Sequence, residues 1–216
     1  MTEIVATAFV NNTKEFLNLV ENYNTELFEL RVDSLKSYDV NDLKHISDKL
    51  IITVRDGCEG GVKDIPEKER IDIFDEFLSI GPSYIDIEFK SVIADKILNK
   101  IQGSNTKSIL SYHNFEETPD FEQLERIYRN MNKKSPDIVK IVTFCNSSMD
   151  NLNMFRLNNN KTNLTAFCMG RKGIISRLFS LIYSPITYGS ISEKKTAPGQ
   201  LSVEELKIIR QVLEDG

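Results

Sequence analysis

Apolar segments of strand length alternate with helical segments along the whole chain, and this alternation limits the fold more than any other feature. The segments are short and rich in β-branched residues, which is typical of strands buried in a sheet. None is joined to the next by a hairpin turn, which indicates parallel β-α-β units. The predicted strands are Ile4 to Phe9, Leu27 to Val32, Leu50 to Arg55, Tyr84 to Phe89, Lys107 to His113, Ile138 to Val142, Asn163 to Met169 and Ile186 to Tyr188.

Helices are expected between these strands and after the last one. Eight such units in 216 residues predict a compact (β/α)₈ barrel, the TIM-barrel fold of the α/β class, as a single domain over residues 1–216. A doubly wound open sheet is the alternative, but it usually has a glycine fingerprint after its first strand, and Asn11-Asn12-Thr13 is not one. The predicted helices lie near Thr13 to Tyr23, Asp42 to Asp48, Pro66 to Leu78, Ala94 to Lys100 and Gly173 to Ile182, with others opening at Thr118-Pro119, at Ser147 and at Ser202-Val203-Glu204-Glu205.

The composition limits the class of protein. A net charge of −5 argues against a nucleic-acid partner or an anionic membrane surface. The three cysteines, Cys58, Cys145 and Cys168, follow no zinc or redox spacing, which fits a reducing compartment. No signal peptide is recognisable after Met1, and no apolar segment has the length of a membrane span. We therefore expect a cytoplasmic protein.

One predicted strand, Ile138 to Val142, places Lys140 among four β-branched residues. Lysine is rarely found in such a run for packing, because moving an ammonium group out of water costs far more than it gains. In one interpretation the side chain reaches the rim of the sheet or pairs with a buried carboxylate. In the other, desolvation favours the neutral amine, which can attack a carbonyl and form a Schiff base. The strand alone leaves both open.

Charged residues recur on one face of several predicted strands, because strand residues alternate between two faces. If the apolar faces meet the helices, the other faces give the barrel an ionic interior near the C-terminal strand ends, where barrel enzymes carry their active sites. The same residues could instead be buried ion pairs that only neutralise each other. The residues on these faces are Glu29, Arg31, Arg55, Asp86, Glu88, Ser111, His113 and Lys140.

His113 and Lys140 lie on neighbouring strands, so both are expected to project into one cavity. A lone histidine is more often a hydrogen-bonded core residue than a catalyst. A proton-transfer group beside a buried amine is nevertheless what imine chemistry requires. The nearby carboxylates could in principle hold a metal, but Arg31, Arg55 and Lys140 already match them in charge. We therefore expect no metal site.

Six short motifs, which follow one another along almost the whole chain, resemble those of the type I 3-dehydroquinate dehydratase family. Any one of them is weak, and it is their shared order that makes the resemblance specific. The motifs are Glu29-Leu30-Arg31-Val32-Asp33, Thr53-Val54-Arg55 with Glu59-Gly60-Gly61, Ser111-Tyr112-His113-Asn114-Phe115, Val139-Lys140-Ile141, Met169-Gly170 with Gly173-Ile174-Ile175-Ser176-Arg177, and Ala197-Pro198-Gly199-Gln200.

The resemblance implies a (β/α)₈ barrel that dehydrates 3-dehydroquinate to 3-dehydroshikimate in the shikimate pathway, with no cofactor. It implies that Lys140 forms an imine with the substrate, that His113 is the acid–base group and that Arg177 holds the substrate carboxylate. The remaining implied site residues are Glu29, Arg31, Arg55, Thr196 and Gln200 as substrate contacts, Glu59 as a support for the histidine, and Met169 and Tyr188 as wall positions.

The chain departs from the family pattern at three positions. Thr196 stands where many members have serine, which keeps the hydroxyl. Asn114 follows the histidine where aspartate is frequent, a change that could alter the pKa of His113. Tyr188 stands where phenylalanine is common and adds a hydroxyl. None of these changes removes a group that the implied chemistry needs.

Two other functions stay open at this level. A class I aldolase is also a barrel with a Schiff-base lysine, and Gly170 to Gly173 at a helix start would suit a phosphate. A barrel that only binds its ligand is the second, although it would be expected to have lost Lys140, His113 or Arg177. Because family members are often dimers, a homodimer is a further open question.

The stretch from Gly189 to Gln200 is long for a connection between a strand and a helix. Loops of that length in compact domains tend to be functional. We expect a lid that is mobile when empty and ordered over ligand, with Gly189 and Gly199 as hinges and Lys194 and Lys195 in its exposed part. A static exposed loop is the alternative.

Overall fold

The computed structural model describes residues 2–192 and 196–215, and its centre is one sheet of eight parallel strands. Each strand pairs with its predecessor in the chain up to β7, and β8 returns to pair with β1. This is the nearly closed (β/α)₈ barrel that the sequence predicts. The strands are β1 (Glu3–Ala8), β2 (Leu27–Arg31), β3 (Leu50–Thr53), β4 (Tyr84–Glu88), β5 (Lys107–Asn114), β6 (Ile138–Phe144), β7 (Leu164–Met169) and β8 (Ile186–Ser190).

Helices connect the strands and cover their outer faces with an apolar layer. Within the described residues, no helix combines the length and the apolar content that a membrane crossing requires. The helices are α1 (Thr13–Asn22), a 3₁₀ helix (Val40–Lys49), α2 (Glu67–Leu78), α3 (Ala94–Ile101), α4 (Phe121–Asn132), α5 (Ser148–Asn158), α6 (Ile174–Tyr183) and α7 (Val203–Asp215).

Two of the predicted helix starts are confirmed by their caps. Ser147 and Asp150 form a reciprocal capping box at the start of α5. At α7, Glu205 N donates to Ser202 Oγ at 3.1 Å, and Glu205 Oε2 accepts from Ser202 N at 2.7 Å. These pairs satisfy backbone N–H groups that a helix start would otherwise leave open. The segment predicted as a helix near Asp42 is the 3₁₀ helix instead.

The start of α4 was predicted wrongly. The helix begins at Phe121 rather than at Thr118-Pro119, because Asp120 is the N-cap and its side chain accepts from a backbone N–H of the first turn at 2.8 Å. Thr118 Oγ1 donates to Phe144 O at 2.8 Å instead. That hydrogen bond holds the loop against the end of β6.

The last strand is longer than predicted and contains Gly189. This glycine pairs with Ala6 of β1 and is buried. A Cβ on it would lie 2.9 Å from Leu206 Cδ1, so α7 packs directly onto the backbone here. Gly189 is therefore part of the barrel and not a hinge of the following loop.

The barrel closes through side chains at one place, between β7 and β8. Among the described residues these two strands share no backbone ladder. Thr165 Oγ1 spans the gap and donates to Ile186 O at 3.1 Å. Other side chains satisfy backbone groups of β7: Asn158 Nδ2 donates to Ala166 O at 2.8 Å, and Ser176 Oγ accepts from Cys168 N at 2.8 Å.

The barrel interior has two levels. Its lower level, toward the N-terminal strand ends, is an apolar plug that excludes water. The charged inward positions predicted from strand alternation lie above it, toward the C-terminal ends. The plug consists of Val5, Leu27, Ile51, Tyr84, Ile109, Ile138 and Ile186.

Candidate active site

One cavity opens at the C-terminal ends of the strands, and every site residue predicted from the sequence lines it. Those residues come from six of the strands and from the loops or helices that follow them, although they are scattered from the second strand to the last loop in sequence. The structure brings together Lys140, His113, Glu29, Arg31, Arg55, Arg177, Thr196, Gln200, Glu59, Met169 and Tyr188.

Lys140 stands on the apolar plug in the middle of the cavity. Its Nζ donates to Asp86 Oδ2 at 3.0 Å and lies 3.7 Å from Glu29 Oε1. The ring of Tyr188 lies beneath the same atom, with its centroid 4.0 Å away. Two carboxylates and an aromatic face therefore stabilise a positive charge at this point. Pairing with a buried carboxylate, one of the two interpretations of the lysine strand, is what the structure shows, and the amine still faces the cavity.

Asp86 links the lysine to Arg55. Its Oδ1 lies 2.9 Å from Arg55 Nη2 and accepts from Ser111 Oγ at 2.6 Å. Burial alone would raise the pKa of this carboxyl, but the charges of Arg55 and Lys140 outweigh burial and hold its pKa well below the ordinary value. Asp86 is thus a fixed anion between two cations.

Glu29 is held by two hydroxyl groups on adjacent strands. Thr7 Oγ1 donates to its Oε2 at 2.9 Å, and Thr53 Oγ1 donates to its Oε1 at 3.0 Å. Arg31 also lines the cavity, but its guanidinium is largely engaged. It forms a two-point hydrogen bond to Asp33 at 2.8 and 2.7 Å and donates to Gly60 O at 3.0 Å.

His113 is oriented by Glu59. Glu59 Oε2 accepts from the backbone N of His113 at 3.0 Å and lies 2.9 Å from its Nδ1. Burial and the nearby Arg55 and Lys140 charges lower the pKa of His113 well below 6.5, so the neutral ring is the stable form. In the tautomer that directs an Nδ1 proton at Glu59, Nε2 is free to accept a proton.

Glu59 has an unusual environment of its own. It lies in the short 3₁₀ turn Gly57–Glu59, and burial raises its pKa from 4.5 to about 7. Asn114 does not take part in this pair. Its Oδ1 accepts from the backbone N of Glu116 and of Glu117, at 2.9 and 3.1 Å.

Arg177 has donors without an acceptor. It is 3% exposed, its Nη2 donates weakly to Pro198 O at 3.5 Å, and its Nε has no hydrogen-bond partner among the described residues. The guanidinium carbon lies 4.5 Å from the centre of the Phe167 ring. Burial lowers the pKa of Arg177 to about 10. A buried guanidinium with open donors fits an anionic ligand, above all a carboxylate.

The loop after β8 ends in a tight turn over the cavity. Gln200 Oε1 accepts from both the N and the Oγ1 of Thr196, at 3.1 and 2.9 Å. Gly199 has φ +70°, and a Cβ on it would lie only 2.3 Å from Gly170 O. This close approach requires glycine. Lys194 and Lys195, which the lid prediction named, lie outside the described residues.

Met169 and Tyr188 line opposite sides of the gap between β7 and β8. The Tyr188 hydroxyl is buried without a partner in the described part of the chain, and burial raises its pKa well above 10. It therefore stays protonated. The described residues contain no group of three or more histidine, cysteine or acidic side chains placed to hold a metal ion.

Sequence reasoning gave little weight to several residues that organise the site. Strand alternation predicts that Asp86 faces inward, but only the structure shows that it is the ionic partner of Lys140. Thr7 gives no signal beyond its inward register, and Thr53 belongs to one of the six motifs without a role of its own. Arg70, whose guanidinium is completely buried behind Arg55, gave no signal at all.

A family model described as Type I 3-dehydroquinase matches residues 4–215. The chain belongs to the type I 3-dehydroquinase family. A 3-dehydroquinate dehydratase from Pyrococcus abyssi is 43% identical over 214 residues, which are 99% of each chain. The crystal structure of the 3-dehydroquinate dehydratase from Aquifex aeolicus is 29% identical, covers 98% of both chains and superimposes with a TM-score of 0.83. That of the Geobacillus kaustophilus enzyme, at 21% identity, covers 100% of this chain and 92% of the other with a TM-score of 0.88 and supports the fold.

Membership of the type I 3-dehydroquinase family decides between the functions that the sequence left open. The matches place the chain with dehydratases rather than with the class I aldolases that share the barrel and the Schiff-base lysine. The buried cavity with an amine, a neutral histidine and an open guanidinium is chemically consistent with this assignment.

Proposed function

We propose that this type I 3-dehydroquinase converts 3-dehydroquinate to 3-dehydroshikimate and water through a Schiff base on Lys140. The observation that carries the proposal is that Lys140, His113 and Arg177 line one buried cavity in a chain of this family. Each of the three supplies one requirement of the reaction: a nucleophile, a proton-transfer group and an anchor for the substrate carboxylate.

The first step starts from the ammonium form of Lys140, which gives up a proton and attacks the C3 carbonyl of the substrate as the amine. A proton returns to the carbinolamine oxygen, so that this oxygen can leave as water. Loss of one water leaves an iminium, whose positive charge lies where the ammonium charge was. Asp86 and Glu29, at 3.0 and 3.7 Å from Nζ, already offset a charge at that point. The site therefore needs little reorganisation as the iminium forms.

The iminium withdraws electrons from C2 and makes its proton acidic. Nε2 of His113 takes this proton, and the electron pair then expels the C1 hydroxyl, which leaves as water after protonation by the same imidazole. Hydrolysis of the product imine consumes one water and restores Lys140. The balance is the loss of one water from the substrate, with no change of oxidation state and no cofactor.

Glu59 sets the tautomer of His113 that this sequence of steps requires. Its Oε2 lies 2.9 Å from Nδ1, and when the ionised carboxylate accepts the Nδ1 proton the basic nitrogen is Nε2. Arg177 binds the substrate carboxylate, because its buried guanidinium has open donors for a two-point hydrogen bond. The substituents of the substrate ring contact Glu29, Arg31, Arg55, Thr196 and Gln200. The ring itself is enclosed by Met169 and Tyr188.

The test combines an assay with trapping of the intermediate. Purified protein incubated with 3-dehydroquinate should produce an absorbing enone, and borohydride added during turnover should leave a covalent adduct on Lys140. Lys140→Ala should be folded, inactive and free of adduct, whereas Lys172→Ala, a variant of an exposed lysine outside the cavity lining, should behave like the wild type. An adduct that maps to Lys172 or Lys195 would falsify the assignment.

His113→Ala separates imine formation from proton transfer. The variant should still give an adduct with borohydride, but its turnover should fall by roughly 10²- to 10⁴-fold, the range of positioned acid–base groups. Turnover close to wild type would show that another group is the base.

Two features expected from the sequence stay predictions. We infer that the chain forms a homodimer, which light scattering on the purified protein would measure. We also infer that the protein acts in the cytoplasm, as a biosynthetic enzyme on a free small molecule. Fractionation of the source cells followed by the enone assay tests that location.

A further inference from the structure

We propose that Arg70 is a positioning residue that fixes Arg55 and, through it, the orientation of the substrate. Arg70 belongs to α2 on the outside of the barrel and does not line the cavity. The inference rests on the proposed function, because Arg55 is taken as a substrate contact.

Arg70 is buried to an extent that packing does not explain. Its side chain is 1% exposed, and α2 already attaches to the barrel through Ile73, Phe74 and Phe77. An apolar residue at this position would hold the helix without the cost of desolvating a cation. A guanidinium is needed here only if its donors do something that an apolar residue cannot do.

The first target of these donors is the backbone next to Arg55. Nε and Nη2 of Arg70 both donate to Val54 O, at 3.1 and 2.8 Å. This carbonyl belongs to the peptide bond that leads into Arg55. The contact fixes the chain at the end of β3, where the strand ladder has already stopped.

The second target is the carboxylate that holds the Arg55 side chain. Arg70 Nη2 donates to Glu88 Oε2. The other oxygen of that carboxylate, Oε1, accepts from Arg55 Nη1 at 3.2 Å. One carboxylate thus joins the outer guanidinium to the inner one, and Arg70 holds Arg55 from both its backbone and its side chain.

The third target is Asp56, the residue that follows Arg55. Arg70 Nη1 lies 3.1 Å from Asp56 Oδ2, and Asp56 caps the turn Gly57–Glu59 by accepting from Cys58 N at 2.9 Å. The residues on both sides of Arg55 are therefore tied to one buried cation. A rigid second layer of this kind holds a binding group within the small tolerance that catalysis requires.

A double-mutant cycle with Arg55 tests whether Arg70 acts through that residue. The variants are Arg70→Lys, Arg55→Lys and the double variant. Arg70→Lys keeps the positive charge but loses the several N–H donors of the guanidinium. Lys68→Met, on the exposed face of α2, is the matched control. Arg70→Gln replaces Arg70→Lys in the cycle if the lysine variant does not fold. Each variant is first checked for a cooperative unfolding transition, and kcat and KM are then measured with 3-dehydroquinate.

Arg70→Lys should lower kcat/KM by roughly 10- to 100-fold, mostly through a higher KM, which is the range expected for a displaced binding group. In the Arg55→Lys background the same change should cost less than about twofold, because residues that act through one another are not additive. Lys68→Met should match the wild type.

The inference is overturned if the loss is the same in both Arg55 backgrounds, since Arg70 would then act on the fold in general. It is also overturned if folded Arg70→Lys keeps wild-type kcat/KM. Lack of turnover in both the wild type and Lys68→Met would instead refute the proposed function, and this inference with it.

Discussion

Replacement of Glu59 by glutamine should change how the stability of the protein depends on pH, because Glu59 and His113 titrate in opposite senses on unfolding. Burial raises the pKa of Glu59 from 4.5 to about 7. Burial also lowers the pKa of His113, from 6.5 to a value well below it. Both groups prefer their neutral form in the folded protein, and both regain ordinary pKa values in the unfolded chain.

The sign of each contribution follows from which state holds more protons. Between pH 4.5 and 7 the folded protein keeps a proton on Glu59 that the unfolded chain has lost, so the free energy of unfolding falls as the pH rises. Below pH 6.5 the unfolded chain binds a proton on His113 that the folded protein does not, so the free energy of unfolding rises with pH. In the shared range the two slopes oppose each other.

The size of each slope follows from a difference of one bound proton between the folded and unfolded states. A difference of one proton gives about 1.4 kcal/mol per pH unit, so Glu59, with a folded pKa of about 7, contributes about 2 kcal/mol between about pH 5 and pH 6.5, and His113 contributes with the opposite sign. In the wild type these contributions oppose each other. His113→Asn should leave only the Glu59 slope and lose about 2 kcal/mol across this range, whereas Glu59→Gln should leave only the histidine slope and become more stable as the pH rises.

Denaturant unfolding of the ligand-free protein at several pH values across this range measures these slopes. Glu117→Gln, which changes an exposed carboxyl group, is the matched control and should run parallel to the wild type. The reasoning is refuted if the curves of Glu59→Gln and His113→Asn also run parallel to the wild type, because neither buried group would then differ in protonation between the folded and unfolded states.

Three further predictions concern other parts of the site. Asp86→Asn should destabilise the protein at neutral pH by roughly 3–5 kcal/mol, since it breaks a buried ion network. The loss should shrink below the ordinary pKa range of carboxyl groups, where the wild-type protein loses the stability that ionised Asp86 contributes. Denaturant unfolding at neutral pH and at such a lower pH measures the difference. Gly199→Ala should keep the fold but lower kcat/KM, because a Cβ lying 2.3 Å from Gly170 O would push the Gln200 turn away, and an unchanged kcat/KM would contradict the close approach. Limited proteolysis after Lys194 or Lys195 should be slowed by saturating substrate or product, and equal rates would leave no role for a lid.

The sequence predicted the barrel and the inward faces because both depend on short-range regularities. Alternation within a strand is enough to put His113 and Lys140 on one side of the sheet, and the register confirms it by pairing Ser111 with Lys140 on adjacent strands. Helix starts were less predictable. Thr118-Pro119 has the right residue types for a helix start, but Asp120 lies two residues further on and caps the helix instead.

Long-range contacts explain the rest of what the sequence did not reveal. Arg70 follows Glu67, Lys68 and Glu69, a charged run that is typical of a solvated helix start. Its burial depends on Glu88 in another β-α unit, and no local sequence pattern indicates that partner. The ionic partner of Lys140 is hidden for the same reason, since Asp86 is 54 residues away in the chain. Gly189 resembled a hinge because the packing of α7 onto it is also non-local.

The gap between β7 and β8 has a consequence for how this enzyme could acquire new substrates. Met169 and Tyr188 stand on either side of it, so its width sets one dimension of the cavity. Elsewhere in the barrel the distance between strands is fixed by the backbone ladder at about 4.8 Å. Here the hydrogen bond across the gap comes from the replaceable side chain of Thr165, while Asn158 and Ser176 satisfy backbone groups of β7. Selection for a bulkier cyclic acid would therefore be expected to act first at this join, where the cavity can widen without the loss of a single interstrand backbone hydrogen bond.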